Sequence, residues 1–275
     1  MKRNWDDEFA NSAYIPGSEK LPALWAANAA AYRQATPMQE DIAYGTASRN
    51  RLDLVFPDGK SKGLVVFVHG GFWMECNKSD WTDLAEGARL NGWTVALPGY
   101  TLAPNARISE ITHEISQAIT KAAHLVEGPI RLVGHSAGGH LVTRMICQDS
   151  PIAPEILARI TNVMSISGLH DLRLLQQTKM NTALQLDDME AERESPALLR
   201  PLASAHVTCW VGADERPEFI RQSRLLAMMW DGLAQVRLFE EKEQNHFSIL
   251  SGLKYPNSPL MDELLASNEA RSTVV

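Results

Sequence analysis

Short apolar segments alternate with helical patterns along most of the chain. The segment 63–71 (GLVVFVHGG) is almost entirely apolar and ends at a pair of glycines, which is typical of a strand buried on both faces of a sheet. Five further strand patterns follow it, at 93–100, 129–135, 162–168, 206–213 and 235–241. This alternation predicts an α/β fold with a mostly parallel central sheet and helices on both faces.

Two regions depart from the alternation. Residues 41–56 contain two short alternating runs separated by turn residues, which predicts an antiparallel hairpin at one sheet edge. Residues 172–200 are polar and charged, and we expect helical patches there above the carboxyl ends of the strands, where open α/β sheets bind ligands. A helical pattern within residues 1–40 can add to this small cap. We predict a single domain over 1–275, with 1–40 and 172–200 as cap or cover segments.

Composition narrows the class of protein. The chain has 275 residues, of which 45% are hydrophobic and 21% charged, and its net charge is −7. Because no basic run is present, nucleic acid is not an expected partner. The three cysteines are far apart and odd in number, which fits reduced thiols rather than a disulfide framework or a zinc site. No apolar window reaches the length of a membrane span and no signal-like region follows the N-terminus, so we expect a cytoplasmic location without a membrane partner.

The motif GHSAGGH at residues 134–140 suggests a nucleophile. Ser136 lies between Gly134 and Gly138, after an apolar strand pattern and before a helical one. Small residues on either side allow a strained turn that presents a serine hydroxyl above a sheet. A glycine-rich turn whose serine only caps a helix remains the alternative for this motif alone.

A second glycine-rich turn, HGGFW at 69–73, follows the strand at 63–68. An attacking serine requires donors for the oxyanion that it creates. The backbone N–H groups of Gly71, Phe72 and Ala137 are our candidates, since two such turns would end neighbouring strands. A tight turn that merely needs a positive φ angle is the alternative interpretation of HGGFW.

His246 is the expected general base. It follows the last strand pattern, at the edge of the sheet where a loop can bring it to Ser136. We expect structural hydrogen bonds from His69 and His135, which belong to the two glycine turns, and we expect His140 to point along the helix after the serine. His135 is also a candidate substrate-binding residue.

The acid that orients the base should precede it in the chain. Asp214 follows the strand pattern at 206–213 and precedes a helix start, so it lies at the correct sheet edge. The neighbouring Glu215 could take the same role, and Asp171 after the preceding strand is the second choice. We predict Ser136, Asp214 and His246 as the catalytic residues, with Asp214 stabilising the imidazolium.

With these residues in place, the chain resembles an α/β-hydrolase and, within that superfamily, a kynurenine formamidase (arylformamidase). Hormone-sensitive-lipase-like esterases are more distantly similar, because they usually carry HGGG where this chain has HGGFW. The resemblance rests on HGGFW at 69–73, YTLAP at 100–104, GHSAGGH at 134–140, SGLHDL at 167–172, SP at 195–196 and VGADERPEFIRQS at 211–223.

The resemblance implies hydrolysis of N-formyl-L-kynurenine to kynurenine and formate, with no metal or organic cofactor. Phe72 and Trp73 would then stack on a flat aryl group, although Trp73 could instead pack in the core, where large aromatic residues more often lie. The same residues would cleave a small-molecule aryl or alkyl ester, so a carboxylesterase is the first alternative. A ligand receptor on a hydrolase scaffold is a second one, and a homodimer is left open.

Overall fold

The central feature of the fold is one eight-stranded sheet. In the computed structural model, which describes residues 3–202 and 206–267, the strand order is β1-β2-β4-β3-β5-β6-β7-β8. The strands are β1 (Met38–Ala43), β2 (Arg51–Val55), β3 (Leu64–Val68), β4 (Thr94–Pro98), β5 (Ile130–His135), β6 (Ile160–Ile166), β7 (His206–Gly212) and β8 (Gln235–Glu241).

The predicted mixture of strand directions is confirmed. β1 and β2 form an antiparallel hairpin, and β2 pairs antiparallel with β4. From β4 to β8 all neighbouring strands are parallel. The six parallel strands therefore have their carboxyl ends at one edge of the sheet, which is where α/β sheets place their ligands.

Helices connect the strands and cover both faces of the sheet. The α-helices are α1 (Trp5–Glu8), α2 (Leu21–Ala35), α3 (Glu86–Leu90), α4 (Ile108–Leu125), α5 (Ala137–Arg144), α6 (Pro154–Leu157), α7 (Asn181–Leu184), α8 (Asp188–Arg193), α9 (Pro217–Trp230) and α10 (Pro259–Leu265). Short 3₁₀ helices lie at Ser12–Tyr14, Ser18–Lys20, Lys78–Ala85, Leu172–Gln177, Pro196–Leu198 and Ser248–Lys254. Among the described helices, none combines the length and the apolar character needed to cross a membrane.

The helix α4 shows how the apolar pattern builds the core. Its apolar residues recur every three or four positions, so that Ile108, Ile111, Ile115 and Ile119 share one face. All four side chains are fully buried in the cluster that includes the strands. The opposite face of α4 carries the exposed residues of this helix.

The helical patches predicted within residues 172–200 are present. Part of this region binds to the start of α4. Glu190 accepts hydrogen bonds from Arg107 and Ser109, and Glu194 accepts one from the Thr112 hydroxyl at 2.7 Å. These carboxylates anchor α8 and the residue after it to the start of α4.

Candidate active site

The turn between β5 and α5 has the backbone strain expected of a nucleophile-bearing turn. Ser136 has φ 55° and ψ −117°, a backbone conformation that residues other than glycine rarely adopt. A Cβ atom at Gly134 would lie 2.1 Å from the carbonyl oxygen of Gly138, and one at Gly138 would lie 1.9 Å from that of Val68. Only glycine fits at these two positions, because the helix packs directly against the strand ends.

Ser136 faces a cavity at the carboxyl edge of the sheet, which we call the reaction cavity. It has a volume of about 720 Å³, and its wall includes Gly70, Gly71, Phe72, His135, Ser136 and His246. Residues from three turns after parallel strands thus meet in one space, and residues of the N-terminal region line the same cavity. A drug-sized molecule fits into a cavity of this volume.

The HGGFW turn lies beside the turn that carries Ser136. A Cβ atom at Gly70 would be 3.0 Å from the Cβ of Ser136, so the two backbones approach closely. Gly71, Phe72 and Trp73 have φ values of 102°, 50° and 58°, so three consecutive residues are left-handed. Within the described part of the chain, the N–H groups of Gly71, Phe72 and Ala137 donate to no protein acceptor, which leaves them available to a ligand.

His246 forms a buried pair with a carboxylate, but the carboxylate is not the predicted one. The Nδ1 atom of His246 lies 2.7 Å from Oε2 of Glu215, and both side chains are almost fully buried. Asp214 is exposed, and the contact predicted between Asp214 and His246 is wrong. The turn after β7 explains the exchange, since the Glu215 N–H donates to the Gly212 carbonyl and folds the chain back over the strand end.

Two further donors hold the Glu215 carboxylate. Its Oε1 atom accepts hydrogen bonds from the Ser167 hydroxyl at 2.5 Å and from the Gly212 N–H at 2.9 Å. Ser167 follows β6 and has φ 51°. The other oxygen therefore remains for His246, whose ring orientation is fixed by this contact.

His135 fixes the backbone that carries His246. Its Nε2–H donates to the carbonyl oxygen of His246 at 2.8 Å, and the two ring centroids are 4.5 Å apart. Burial, together with the neighbouring His246, holds the pKa of His135 well below its usual value. His135 is thus neutral at pH 7 and adds no positive charge beside the His246 ring. The structural hydrogen bond that we expected is present, and the ring also lines the reaction cavity.

The structure differs from the prediction that Trp73 contacts a substrate. Trp73 is fully buried and does not line the reaction cavity; its ring packs edge-on against His140, with the centroids 5.1 Å apart. Trp73 is therefore a core residue, and the predicted stacking of Trp73 on a substrate is wrong. Phe72 does line the cavity, where its ring has an edge contact with Phe219.

Three more histidines are structural. His69 donates from Nδ1 to the Gly70 carbonyl and stacks on Tyr100, while His140 donates from Nε2 to the carbonyl of Glu194. Burial lowers the pKa of His69 to about 4, and that of His140 and of His170 to about 3. These imidazoles are neutral near pH 7.

Asp171, the second choice for the acid, lies elsewhere. It pairs with Arg173 at 2.9 Å. Burial alone would raise the pKa of Asp171, but the hydrogen bonds from Arg173 outweigh burial and lower it. Asp171 therefore serves a local ion pair rather than His246.

The N-terminal region supplies much of the remaining cavity wall, which the sequence did not resolve residue by residue. Phe9, Asn11, Pro22 and Trp25 line the reaction cavity, whereas Met180 alone represents the described residues of 172–200. Apart from histidine, the charged side chains in the described wall are all acidic, namely Asp6, Glu75 and Asp80. No sequence signal separates such wall residues from ordinary surface or core residues.

Comparison with known proteins agrees with this architecture. A family model described as BD-FAE matches residues 52–222. "Kynurenine formamidase" of Danio rerio is 29% identical over 245 residues, which are 85% of this chain and 83% of that protein.

Solved structures extend the likeness to the whole fold. A "putative thioesterase" from Silicibacter sp. TM1040 is 44% identical with a TM-score of 0.92, and the match covers 96% of this chain and 100% of that one. Esterase B from Lactobacillus rhamnosis has a TM-score of 0.68 at 18% identity over 90% of this chain and 91% of its own, which supports the fold alone. The chain therefore belongs to the BD-FAE family and is an enzyme of the α/β-hydrolase type that resembles kynurenine formamidases and esterases.

Proposed function

We propose that this enzyme is a serine hydrolase that converts N-formyl-L-kynurenine to kynurenine and formate. The observation that carries the proposal is the buried contact between His246 and Glu215, because His246 lines the same cavity as the strained Ser136. A hydroxyl, a carboxylate and an imidazole in this chain order, here Ser136, Glu215 and His246, make up the catalytic set of α/β-hydrolases. The similarity to kynurenine formamidase supports the choice of substrate.

The proposed reaction has two steps. The Ser136 hydroxyl oxygen attacks the formyl carbon, while His246 accepts the hydroxyl proton at Nε2. The C–N bond then breaks, and His246 gives the proton to the departing aryl amine. Water next attacks the formyl-enzyme, with His246 again accepting a proton, and formate leaves as the Ser136 hydroxyl is restored.

In this mechanism Glu215, rather than Asp214, stabilises the imidazolium. A carboxylate at Nδ1 holds the proton there and leaves Nε2 free to accept the serine proton. The hydrogen bonds from Ser167 and Gly212 keep the carboxylate in place during the proton transfers.

The oxyanion of each step would be stabilised by backbone N–H groups of Gly71, Phe72 and Ala137. The first two belong to the left-handed turn in the cavity wall, and the third follows Ser136 at the start of α5. The loss of one such donor typically costs about 3 kcal/mol of transition-state stabilisation. Because the donors are backbone groups, the conformation of the turn sets their positions, and the proposed activity depends on that conformation.

A carboxylesterase is the second candidate, and the charge of the cavity wall favours it. N-formyl-L-kynurenine carries both an α-ammonium and an α-carboxylate, and the charged wall residues besides histidine are Asp6, Glu75 and Asp80. The described wall thus offers an ammonium group several partners and a carboxylate no lysine or arginine. Neutral esters would not meet this disadvantage.

The two candidates are separated by their specificity constants. We expect kcat/KM for N-formyl-L-kynurenine to reach about 10⁴ M⁻¹s⁻¹ or more, the usual range for an enzyme and its substrate. The comparison substrates are p-nitrophenyl acetate and butyrate, and Ser136→Ala measures the background. A formamide rate equal to that of Ser136→Ala, with rapid ester turnover by the parent, would assign the enzyme to the carboxylesterases.

A further inference from the structure

A second cavity adjoins the reaction cavity, and we call it the side pocket. Its volume is about 280 Å³, and aliphatic side chains form much of its wall, including Ile15, Leu21, Leu24, Leu84 and Leu250. An apolar cavity of about 150 Å³ can hold benzene, so the side pocket has room for a further aromatic ring. The apolar part of its wall suits an alkyl or aryl group, and the charged wall residues Asp83 and Lys254 pair with each other.

Three aromatic residues line both cavities, namely Trp25, Trp81 and Phe247. Trp25 is the central one of the three. Its ring centroid lies 4.7 Å from that of Trp81 and 5.3 Å from that of Phe247, with an edge-on angle of 68° to the latter. The three rings therefore form a continuous partition between the reaction cavity and the side pocket.

The partition lies next to the proposed general base. Phe247 follows His246 in the chain, and their ring centroids are 5.5 Å apart. Trp81 is buried and belongs to the 3₁₀ helix Lys78–Ala85, against which α2 packs. Trp25 on α2 is half-buried and contacts both rings, so its indole can be removed without removing a strand or the nucleophile turn.

We propose that Trp25 determines the largest apolar group that the enzyme accepts beside the bond that it cleaves. The inference rests on the proposed serine hydrolase function. The indole ends the reaction cavity, and its removal joins the side pocket to it. Apolar surface that the parent enzyme excludes then becomes buried in the enlarged cavity, which stabilises the transition state of a larger substrate.

The test measures selectivity rather than rate alone. Two ester series are compared: acetates with phenyl, naphthyl and biphenyl leaving groups, and p-nitrophenyl esters with acyl chains from two to ten carbons. The quantity of interest is the ratio of kcat/KM for the largest to the smallest member of each series. In Trp25→Ala we expect this ratio to rise at least about tenfold in one series, which shows whether the leaving group or the acyl group reaches the side pocket.

Control variants separate specificity from stability. Trp25→Phe retains a ring in the partition and should keep a ratio within about twofold of the parent. Trp93→Ala removes another buried indole, at the amino end of β4 and away from the reaction cavity, so it should lower stability without changing either ratio. Phe247→Ala opens the partition from its other side and should raise the same ratio as Trp25→Ala, which keeps the test decisive if Trp25→Ala fails to fold.

Two failures are distinguishable. If the parent shows no ester hydrolysis above Ser136→Ala in either series, the proposed function is wrong. If the parent hydrolyses the small esters and both ratios stay unchanged in folded Trp25→Ala or Phe247→Ala, the hydrolase function remains and the role of Trp25 is refuted.

Discussion

The floor and the cover of the reaction cavity are built in different ways. Turns at the carboxyl ends of β3, β5 and β8 make the floor, and there the backbone fixes the proposed reacting groups through left-handed residues and close glycine contacts. The cover comes largely from the N-terminal region and meets the cavity through side chains such as Phe9 and Trp25. In the proposed mechanism the floor determines the chemistry, and the cover determines which molecules reach it.

This difference predicts unequal effects of substitution. A change in the floor should lower the rate for every substrate, since it alters the transition state common to them. A change in the cover should alter the preference among substrates. The following predictions test this division, beginning with the largest effect.

Substitutions of the neighbouring carboxylates Glu215 and Asp214 should have very different effects on kcat/KM. Glu215→Gln removes the charge that stabilises the His246 imidazolium, so we expect kcat/KM to fall about 10³–10⁴-fold. Asp214→Asn changes an exposed side chain and should leave kcat/KM within about threefold of the parent. Steady-state kinetics with p-nitrophenyl acetate, together with a thermal melt of each variant, would measure both. Equal losses, or a larger loss in Asp214→Asn, would contradict the pairing seen here.

Substitutions of the two neighbouring aromatic residues in the HGGFW turn should also have different effects. Trp73→Ala removes a fully buried side chain and should cost about 3–5 kcal/mol of unfolding free energy. Phe72→Ala removes part of the cavity wall and should raise KM by about tenfold with a smaller loss of stability. Urea denaturation and steady-state kinetics on both variants test the pair. A Trp73→Ala enzyme of parental stability with an increased KM would restore Trp73 to the substrate site.

The buried histidines predict a stability that depends on pH. The pKa is about 4 for His69 and about 3 for His140 in the folded chain, against 6.5 for an ordinary imidazole. Above pH 6.5 these imidazoles are neutral in both the folded and the unfolded chain, so their contribution to the free energy of unfolding has its full value. It falls at lower pH, where only the unfolded chain binds the protons, by at most about 1.4 kcal/mol per pH unit for each imidazole.

Urea denaturation at pH 7, 6 and 5 measures this effect. In His140→Gln the slope of unfolding free energy against pH should be smaller than in the parent by up to about 1.4 kcal/mol per pH unit, which corresponds to one proton. If the parent and His140→Gln have the same slope between pH 6 and 5, the buried imidazole does not cause the effect.

The sequence predicted the two glycine turns of the floor where the backbone required particular residues, whereas the catalytic roles of Ser136 and His246 stay predictions. The apolar strands with glycine turns at 69–73 and 134–140 left few conformations for Ser136, and the same fold placed His246 after the last strand. The choice between Asp214 and Glu215 was not accessible in this way. Both are carboxylates at the same strand end, and the one that faces inward is the one whose carboxylate accepts hydrogen bonds from Ser167 and Gly212, contacts that the sequence does not show.

The cover was not predictable at the level of residues. An aromatic residue such as Trp25 has the same helical spacing whether it packs in a core or ends a cavity. Its position depends on the packing of α2 against the helix Lys78–Ala85, a contact between distant parts of the chain. The opposite outcome for Phe72 and Trp73, one in the cavity wall and one in the core, likewise depends on the left-handed turn and not on residue type.

The most direct test of the account is covalent labelling of the proposed nucleophile. The parent enzyme is treated with a fluorophosphonate, digested, and examined by peptide mass spectrometry. We predict one adduct on Ser136, loss of ester hydrolysis in proportion to labelling, and no label on Ser136→Ala. An active enzyme that resists labelling, or a label that persists in Ser136→Ala, would contradict the assignment of Ser136 as the nucleophile, and a parent with neither label nor hydrolysis would favour a ligand receptor.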